Sequence, residues 1–381
     1  MSRSIRDLKL LWLAVFFLGI GFGIYNASFF NFITELIKIQ PEQLGKVEAV
    51  RELAGFLCVF VAALTMRIAE PLLCALAFFL MAIGLAAIST VNTIPSLMLW
   101  SFVWSTGIHV WTPLQSSITM DLTEAGAKGK RLGQTAASNG LGTLLGMVSV
   151  YKLGHSLTYS TWFLIGAGLY ALAALIMLTL RRDIGHGSKP RFVWKRKYRL
   201  YYALTFLEGC RKQVFFTFAL YALTRVYRTD LRTIALLMVI NGLVNMFGAP
   251  ILGRMIDRIG ERKILLISYA ALIFVFIGYA EIRHAHVLYV MYCLDNLLFL
   301  SAMCLTTYLE KIAEPGDLMP TLSMGVTMNH IAAVLVPLIG GFLWASYGYP
   351  ITFRGGAVVV VISLLLAATI KPIRKAVISA K

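Results

Sequence analysis

The sequence predicts an all-α polytopic membrane protein with twelve transmembrane helices. Of its 381 residues, 59% are hydrophobic and 14% are charged, whereas soluble domains average about 25% charged residues. Uncharged runs such as 10–33 and 158–180 exceed the roughly 20 apolar residues that cross a bilayer core. No period-two alternation indicates barrel strands, so the spans are helices, in which every backbone polar group is paired internally. This composition excludes a soluble domain.

Each of the twelve apolar runs predicts one helix. We interpret the first run as a retained helix rather than a cleaved signal peptide, because it is long and no small-residue cleavage pattern follows it. The predicted helices lie near residues 10–36, 42–65, 71–91, 94–120, 132–152, 158–180, 200–226, 231–254, 263–282, 286–311, 318–346 and 349–370.

Basic residues concentrate in alternate loops. If both termini are cytoplasmic, the inner loops and termini hold about 24 of the 35 Lys and Arg residues and the outer loops about 8. We therefore expect a multi-pass protein of the cell membrane, bacterial and inner, with both termini cytoplasmic. The net charge of +17 then reflects this bias, and the basic run 189–199 would meet anionic inner-leaflet lipids rather than nucleic acid. We expect a monomer.

The two halves of the chain resemble each other. A shift of 190 or 191 residues superposes the two sets of six apolar runs and predicts two parallel six-helix repeats. The predicted units are an N-terminal bundle over 1–180, a basic cytoplasmic linker over 181–199 and a C-terminal bundle over 200–381. The same shift aligns Glu314 with Glu124, Asn329 with Asn139 and Phe353 with Phe163.

The segment between predicted helices 8 and 9 carries a recognisable motif. It reads Gly-Arg-Met-Ile-Asp-Arg-Ile-Gly-Glu-Arg-Lys over 253–263 and resembles the G-x-x-x-D-R-x-G-x-R-K signature of the major facilitator superfamily. The resemblance implies a secondary transporter with helices 1, 4, 7 and 10 at its centre and helices 3, 6, 9 and 12 facing lipid. The first-half copy retains only Arg67 and Glu70. The resemblance implies a gating role for Gly253, Asp257, Arg258, Gly260, Arg262 and Lys263.

Charged residues near the middle of two helices predict a polar chamber. Glu208, Arg211 and Lys212 share one face of helix 7, because residues three and four apart are neighbours on a helix. Glu48, Arg51 and Glu52 do the same on helix 2. A charge at membrane depth usually faces a partner or a watery path. Further polar residues at comparable depth are Tyr25, Asn26, His109, Asp295, Asn296, Asn329 and His330.

The sequence allows two interpretations of the chamber. In the structural one, Glu208 neutralises Arg211, and Glu48 or Glu52 neutralises Arg51. In the functional one, Lys212 and Arg211 bind an anionic group, and Asp295, followed by Glu208 and Glu52, carries a coupling proton. We regard His109 and His330 first as hydrogen-bonded buried histidines rather than essential proton carriers. The candidate substrate-binding residues are Arg211, Lys212, Arg51, Tyr25, Asn26, His109, Asn296, Asn329 and His330.

The sequence thus favours a secondary transporter over an enzyme or an ATP-driven pump. It shows no nucleotide-phosphate loop and no hydrolase triad spacing, and we expect no cofactor and no metal. The expected substrate is a small anionic or zwitterionic organic solute moved by alternating access, with proton coupling as one option. The alternatives are export of amphiphilic or cationic compounds, and a non-transporting sensor or assembly factor on the same fold.

Overall fold

The computed structural model describes residues 3–65, 68–124, 126–181, 194–314 and 316–371, with backbone alone at 3–4 and 57–65. Twelve helices occupy these ranges, in the predicted order. The first six are α1 (Arg3–Glu35), α2 (Pro41–Thr65), α3 (Glu70–Ile88), α4 (Ile94–Asp121), α5 (Lys128–Leu153) and α6 (Tyr159–Leu178). After a 3₁₀ turn at Arg196–Tyr198 come α7 (Arg199–Arg225), α8 (Leu231–Ile259), α9 (Glu261–Glu281), α10 (Ala285–Ile312), α11 (Leu318–Tyr347) and α12 (Tyr349–Ala368).

Two of these helices are not uniform, although the sequence predicts each as a single span. In α7 the α-helical segments Arg199–Gln213 and Leu220–Arg225 flank a π-helical segment, Val214–Ala219. In α10 a 3₁₀ segment, Leu300–Ala302, separates Ala285–Phe299 from Met303–Ile312. Such departures from α geometry are common at functional sites, and both helices carry predicted chamber residues.

The helices differ in polarity. Among the residues that the structure describes, eight helices are long and apolar enough to cross a membrane, judged by length and composition: α1, α3, α6, α8, α9, α10, α11 and α12. The others include α2, α4 and α7, which carry Arg51, His109 and Arg211. Exposed large apolar side chains on α3, α6, α9 and α12 form the surface that the resemblance assigns to lipid. Examples are Leu76, Leu175, Phe274 and Leu365.

The start of α7 is attached to the loop between α10 and α11. Lys195 Nζ lies 2.7 Å from Glu314 Oε2 and 2.6 Å from Asp317 Oδ2. Lys197 Nζ lies 3.2 Å from Glu314 Oε1. The two lysines lower the pKa of the exposed Glu314 carboxyl. We call this end of the bundle the basic end, and the end with the α1–α2, α7–α8 and α11–α12 turns the opposite end.

Close helix packing depends on glycines in α1 and α5. A methyl group added at Gly142 would collide with the Phe16 carbonyl, and one added at Gly146 would collide with the Ile20 carbonyl. Gly23 in turn faces the Thr143 carbonyl. Small residues spaced four apart let helix backbones approach closely in membranes. This contact fixes α5 against α1 throughout the middle of the bundle.

The same packing recurs in the second half. Gly19 of α1 lies against Asn139 of α5, and Gly209 of α7 lies against Asn329 of α11. Both members of the second pair follow their counterparts by 190 residues. Phe163 and Phe353, which the same shift aligns, are both fully buried. The repeat seen in the sequence is therefore a repeat of interior contacts.

The two halves meet at the opposite end. Asn31 Nδ2 donates to the Thr229 carbonyl at 2.9 Å, and the Tyr221 hydroxyl donates to the Ile39 carbonyl at 2.7 Å. Beside them, Gly45 of α2 lies against the Pro337 carbonyl of α11. We call these contacts the seal. The hydrogen bonds and ion pairs that join described residues of the two halves include six at this end or at mid-depth.

The glycine contact gives a test with a control on the same helix. We expect Gly146→Leu to lower the free energy of unfolding by about 1–3 kcal/mol or more, because the larger side chain overpacks a filled contact. Gly140→Leu should have little effect, since no atom lies within 4 Å of a methyl group added there. Thermal unfolding of the two purified variants measures the difference. Equal melting temperatures would contradict the assigned packing.

Candidate functional site

The first charged cluster lies on α2. Arg51 Nη1 donates to Glu48 Oε1 at 3.0 Å, and Arg51 Nη2 lies 2.6 Å from Glu48 Oε2. The same Nη2 lies 3.2 Å from Glu52 Oε1. Because Glu48 binds the guanidinium through both oxygens, it is the main partner of Arg51. We call these three residues the α2 cluster.

The second cluster joins α7 to α10. Arg211 Nε donates to Glu208 Oε2 at 3.1 Å, and Nη2 lies 2.5 Å from Glu208 Oε1. Arg211 Nη1 lies 3.2 Å from Asp295 Oδ1. All three side chains are buried, with exposed fractions of 5% or less. We call Glu208, Arg211 and Asp295 the α7 cluster.

Three side chains from both halves meet between the clusters. Glu52 Oε2 lies 3.8 Å from His109 Nε2 and 3.7 Å from His330 Nδ1. The two imidazole rings are 5.0 Å apart, and Gly55 lies directly against His330. His109 Nδ1 is 2.9 Å from the Ser105 carbonyl. The fold therefore brings α2 and α4 of the first half against α11 of the second, and we call Glu52, His109 and His330 the junction.

Lys212 stands apart from both clusters. Its ammonium group forms no ion pair with any carboxylate that the structure describes, and it lies 5.5 Å from the Phe216 ring centre. The side chain is half-buried and lies within electrostatic range of Glu52 in the first half and Glu208 in its own. Among the three basic groups predicted for the chamber, it is the one that has not been neutralised.

The remaining predicted chamber residues are held by neighbours in their own halves. The amides of Asn26, Asn296 and Asn329 each donate to the carbonyl four residues earlier, at 3.0–3.2 Å. The Tyr25 ring stacks on Trp104 with centroids 4.1 Å apart, and its hydroxyl lies beside Arg51. Asn26 and Asn329 are half-buried, whereas Tyr25 and Asn296 are buried.

Three residues that contact the site were not predicted from the sequence. Trp104 supports Tyr25, Ser105 holds His109, and the Phe299 ring centre lies 5.2 Å from the Arg211 guanidinium carbon. Ser105 could have been found, because it precedes His109 by four residues on the same helix. Trp104 and Phe299 act across helix interfaces, for which one sequence carries no signal.

The signature motif forms the turn between α8 and α9. Gly260 has φ +83°, a conformation that favours glycine, and its amide donates to the Ile256 carbonyl at 3.0 Å. Asp257, Arg258 and Lys263 are exposed, and Arg262 is half-buried. Asp257 has no ion-pair partner among the described side chains, and no described atom crowds Gly253. The gating role of these six residues stays a prediction.

The α7 cluster predicts a strong response to removal of its base. Arg211→Met should lower the free energy of unfolding by about 3–5 kcal/mol, because it leaves Glu208 and Asp295 buried without a counter-charge. Adding Glu208→Gln and Asp295→Asn should restore most of the loss. Arg199→Met, at an exposed position at the start of α7, is the control, and unfolding of detergent-purified protein is the measurement. A triple variant as unstable as Arg211→Met would show that lost packing, rather than uncompensated charge, causes the effect.

Comparisons with known proteins agree with this architecture. The family model described as Major Facilitator Superfamily matches residues 11–310 and 201–381. No curated protein sequence was found to match the chain.

Among solved structures, a mutant of the nucleoside transporter NupG superposes with a TM-score of 0.82 at 16% identity, covering 95% of this chain and 98% of that one. A bacterial homolog of the human lysosomal transporter Spinster, inward-facing and occupied, gives 0.76 at 14% identity, with coverage of 97% and 96%. A D-xylose-proton symporter gives 0.70 at 13% identity, with coverage of 97% and 98%. These likenesses show the fold, and the family model covers nearly the whole chain. The protein thus belongs to the Major Facilitator Superfamily and is a multi-pass secondary transporter of a small molecule rather than an enzyme.

Proposed function

We propose that the protein carries a small organic solute with a negatively charged group, anionic or zwitterionic, by alternating access between its halves, residues 1–180 and 200–381. The observation that carries this proposal is Lys212. Its ammonium group is half-buried at mid-depth and lacks an ion pair in the described part of the chain. An unpaired charge there is costly unless something binds it, and a carboxylate or phosphate of the solute is the matching partner.

The charge balance of the chamber favours a zwitterion within that class. Arg51 and Arg211 are each matched by two carboxylates of their own halves. With Lys212 included and the histidines neutral, four carboxylates face three basic groups, which leaves one negative charge. A solute that brings a cationic group as well as an anionic one would meet Glu52 and Lys212 together. A purely cationic solute, as in the export alternative, would offset the net negative charge but would leave Lys212 without a counter-charge.

Asp295 is the proposed carrier of a coupling proton. Its Oδ1 faces Arg211 Nη1 at 3.2 Å, and its Oδ2 lacks a hydrogen-bond partner among the described residues. Glu208 holds Arg211 through two oxygens. When Asp295 is protonated, Glu208 still neutralises Arg211, so the buried guanidinium keeps a counter-charge throughout. Glu208 and Glu52 are the next candidates.

The seal suggests which state the structure represents. We assign the basic end to the cytoplasm on the positive-inside rule, so contacts at the opposite end close the outer side. The loops at the basic end would then lie near anionic lipids. Rocking of the halves would break the seal and bring the turn at Asp257 against the other half. We propose that a monomer performs this cycle.

The Lys212 proposal is tested by substitution. We expect Lys212→Ala to weaken solute binding by more than about 1 kcal/mol, roughly fivefold, and Lys212→Arg to weaken it less, because a charge-assisted hydrogen bond is lost or kept. The solute is first found by a thermal-shift screen of amino acids, carboxylates and phosphorylated metabolites. Lys46→Ala, at an exposed pair on α2, is the control. Wild-type affinity in Lys212→Ala would give that lysine a structural role.

The Asp295 proposal is tested in proteoliposomes. Asp295→Asn should abolish accumulation driven by a pH gradient but retain exchange of labelled solute, because exchange needs binding and rocking without net proton release. Asp121→Asn, at an exposed end of α4, should retain both activities. Full accumulation by Asp295→Asn would transfer the coupling role to Glu208, Glu52 or another ion. Absence of any uptake or exchange by the unsubstituted protein would favour a non-transporting role.

A further inference from the structure

The junction has the composition of a transition-metal site. Glu52, His109 and His330 each direct one ligand atom at the others, and the three atoms lie within 4.8 Å of one another. Two imidazoles and one carboxylate form a donor set known from Zn²⁺ sites that keep a fourth position open. Imidazole donors select Zn²⁺, Cu²⁺, Ni²⁺ or Co²⁺ over Mg²⁺ and Ca²⁺.

The hydrogen bonding of His109 leaves its other nitrogen ready for a cation. His109 Nδ1 is 2.9 Å from the Ser105 carbonyl, which can only accept, so Nδ1 carries the proton. Nε2 then presents a lone pair toward Glu52 Oε2, which is also an acceptor, at 3.8 Å. Two facing acceptors repel each other unless a proton or a metal cation lies between them. A hydrogen bond that fixes the ring and its tautomer in this way is typical of metal-binding histidines.

The ligand atoms of His330 and Glu52 are also available to a metal ion. His330 Nδ1 is shielded from solvent and has no hydrogen-bond partner among the described residues, yet it lies 3.7 Å from Glu52 Oε2. The Arg51 guanidinium contacts Oε1 of Glu52 and leaves Oε2 to the junction. Ligands of a tetrahedral Zn²⁺ ion with bonds of about 2.1 Å are about 3.4 Å apart. Movements of the ligand atoms by a few tenths of an ångström to about 1 Å would bring them to this spacing.

Nearby positive charges oppose a metal ion, and their balance decides whether it can bind. Glu48 neutralises Arg51 through two hydrogen-bonding contacts, so the α2 cluster keeps one net negative charge on Glu52. Lys212 is the remaining cation within range. It has no ion pair with any residue that the structure describes and is half-buried, so it can turn away from an incoming ion. Neutral imidazoles add no charge of their own.

We propose that Glu52, His109 and His330 bind one Zn²⁺-like ion, and that this ion locks the two halves in the sealed state. Glu52 and His109 belong to the first half and His330 to the second. The ion would therefore bridge α2 to α11 near the packing of Gly45 on the Pro337 carbonyl. Rocking of the halves must pull these ligands apart, so bound metal would oppose opening of the seal. The site does not depend on which solute is carried, although a bound ion would occupy the Glu52 carboxylate that a cationic group of the solute would otherwise meet.

The test uses the full-length protein, purified and stripped of metal with a chelator. Zn²⁺ is titrated against a chromophoric competitor, and Co²⁺ is added as a spectroscopic probe. We expect one site per chain, with the visible absorption of tetrahedral Co²⁺. His109→Ala, His330→Ala and Glu52→Gln should each lower the affinity at least tenfold. The double variant His284→Ala/His286→Ala removes an exposed histidine pair at the opposite end and should retain the site.

A second measurement keeps the proposal testable if a variant is unstable. Spin labels on the two halves at the basic end should show a narrower distance distribution with Zn²⁺, and Zn²⁺ should raise the melting temperature of the unsubstituted protein. Both effects should disappear in His330→Gln. Binding lost only in the His284/His286 double variant, an octahedral Co²⁺ spectrum, or distance distributions unchanged by Zn²⁺ would overturn the proposal.

Discussion

The sharing of Arg211 between Glu208 and Asp295 is the interaction on which the interior of this transporter depends. A guanidinium at membrane depth costs about 2.5–3.5 kcal/mol even on lenient insertion scales, and here it is completely enclosed. Two carboxylates, one on the same helix and one on α10, make that burial possible. They also fix α7 against α10, so the face of α7 that carries Lys212 has a defined direction.

The packing contacts of the two halves are alike, but their charged residues differ. The glycine contacts repeat between the halves: Gly19 with Asn139 has its equivalent in Gly209 with Asn329. The charges do not repeat. The position 190 residues before Arg211 is Gly21, and the position 190 residues after Arg51 is Asn241. The duplicated scaffold thus surrounds a chamber whose two walls differ, and a solute bound between them would have one preferred orientation.

Much of this arrangement was visible in the sequence, because run length and helical spacing are local properties. Twelve spans, the pairing of Arg211 with Glu208 and the pairing of Arg51 with Glu48 all follow from residues that are neighbours in the chain or on one turn. The contact of Asp295 with Arg211 joins residues 84 apart, and Glu52 meets His330 from the other half. Periodicity gives the face on which a side chain lies but not the helix that it meets. The uneven helical geometry of α7 was missed for a related reason, since apolar runs look alike in α and π conformations.

The π-helical segment of α7 determines how the two ends of that helix are oriented. A π turn uses about one residue more than an α turn. The segment Val214–Ala219 therefore changes the helical register between Arg211, which precedes it in the chain, and Tyr221, which follows it. In this register Arg211 reaches Asp295, while the Tyr221 hydroxyl reaches the Ile39 carbonyl of the other half. If the segment became α-helical, the upper part would turn by about 100° relative to the lower. The Tyr221 hydroxyl would then lose its hydrogen bond to the Ile39 carbonyl. A change in one backbone turn would therefore rotate the second part of α7 and release a contact of the seal, while the Arg211 part of the helix stays in place.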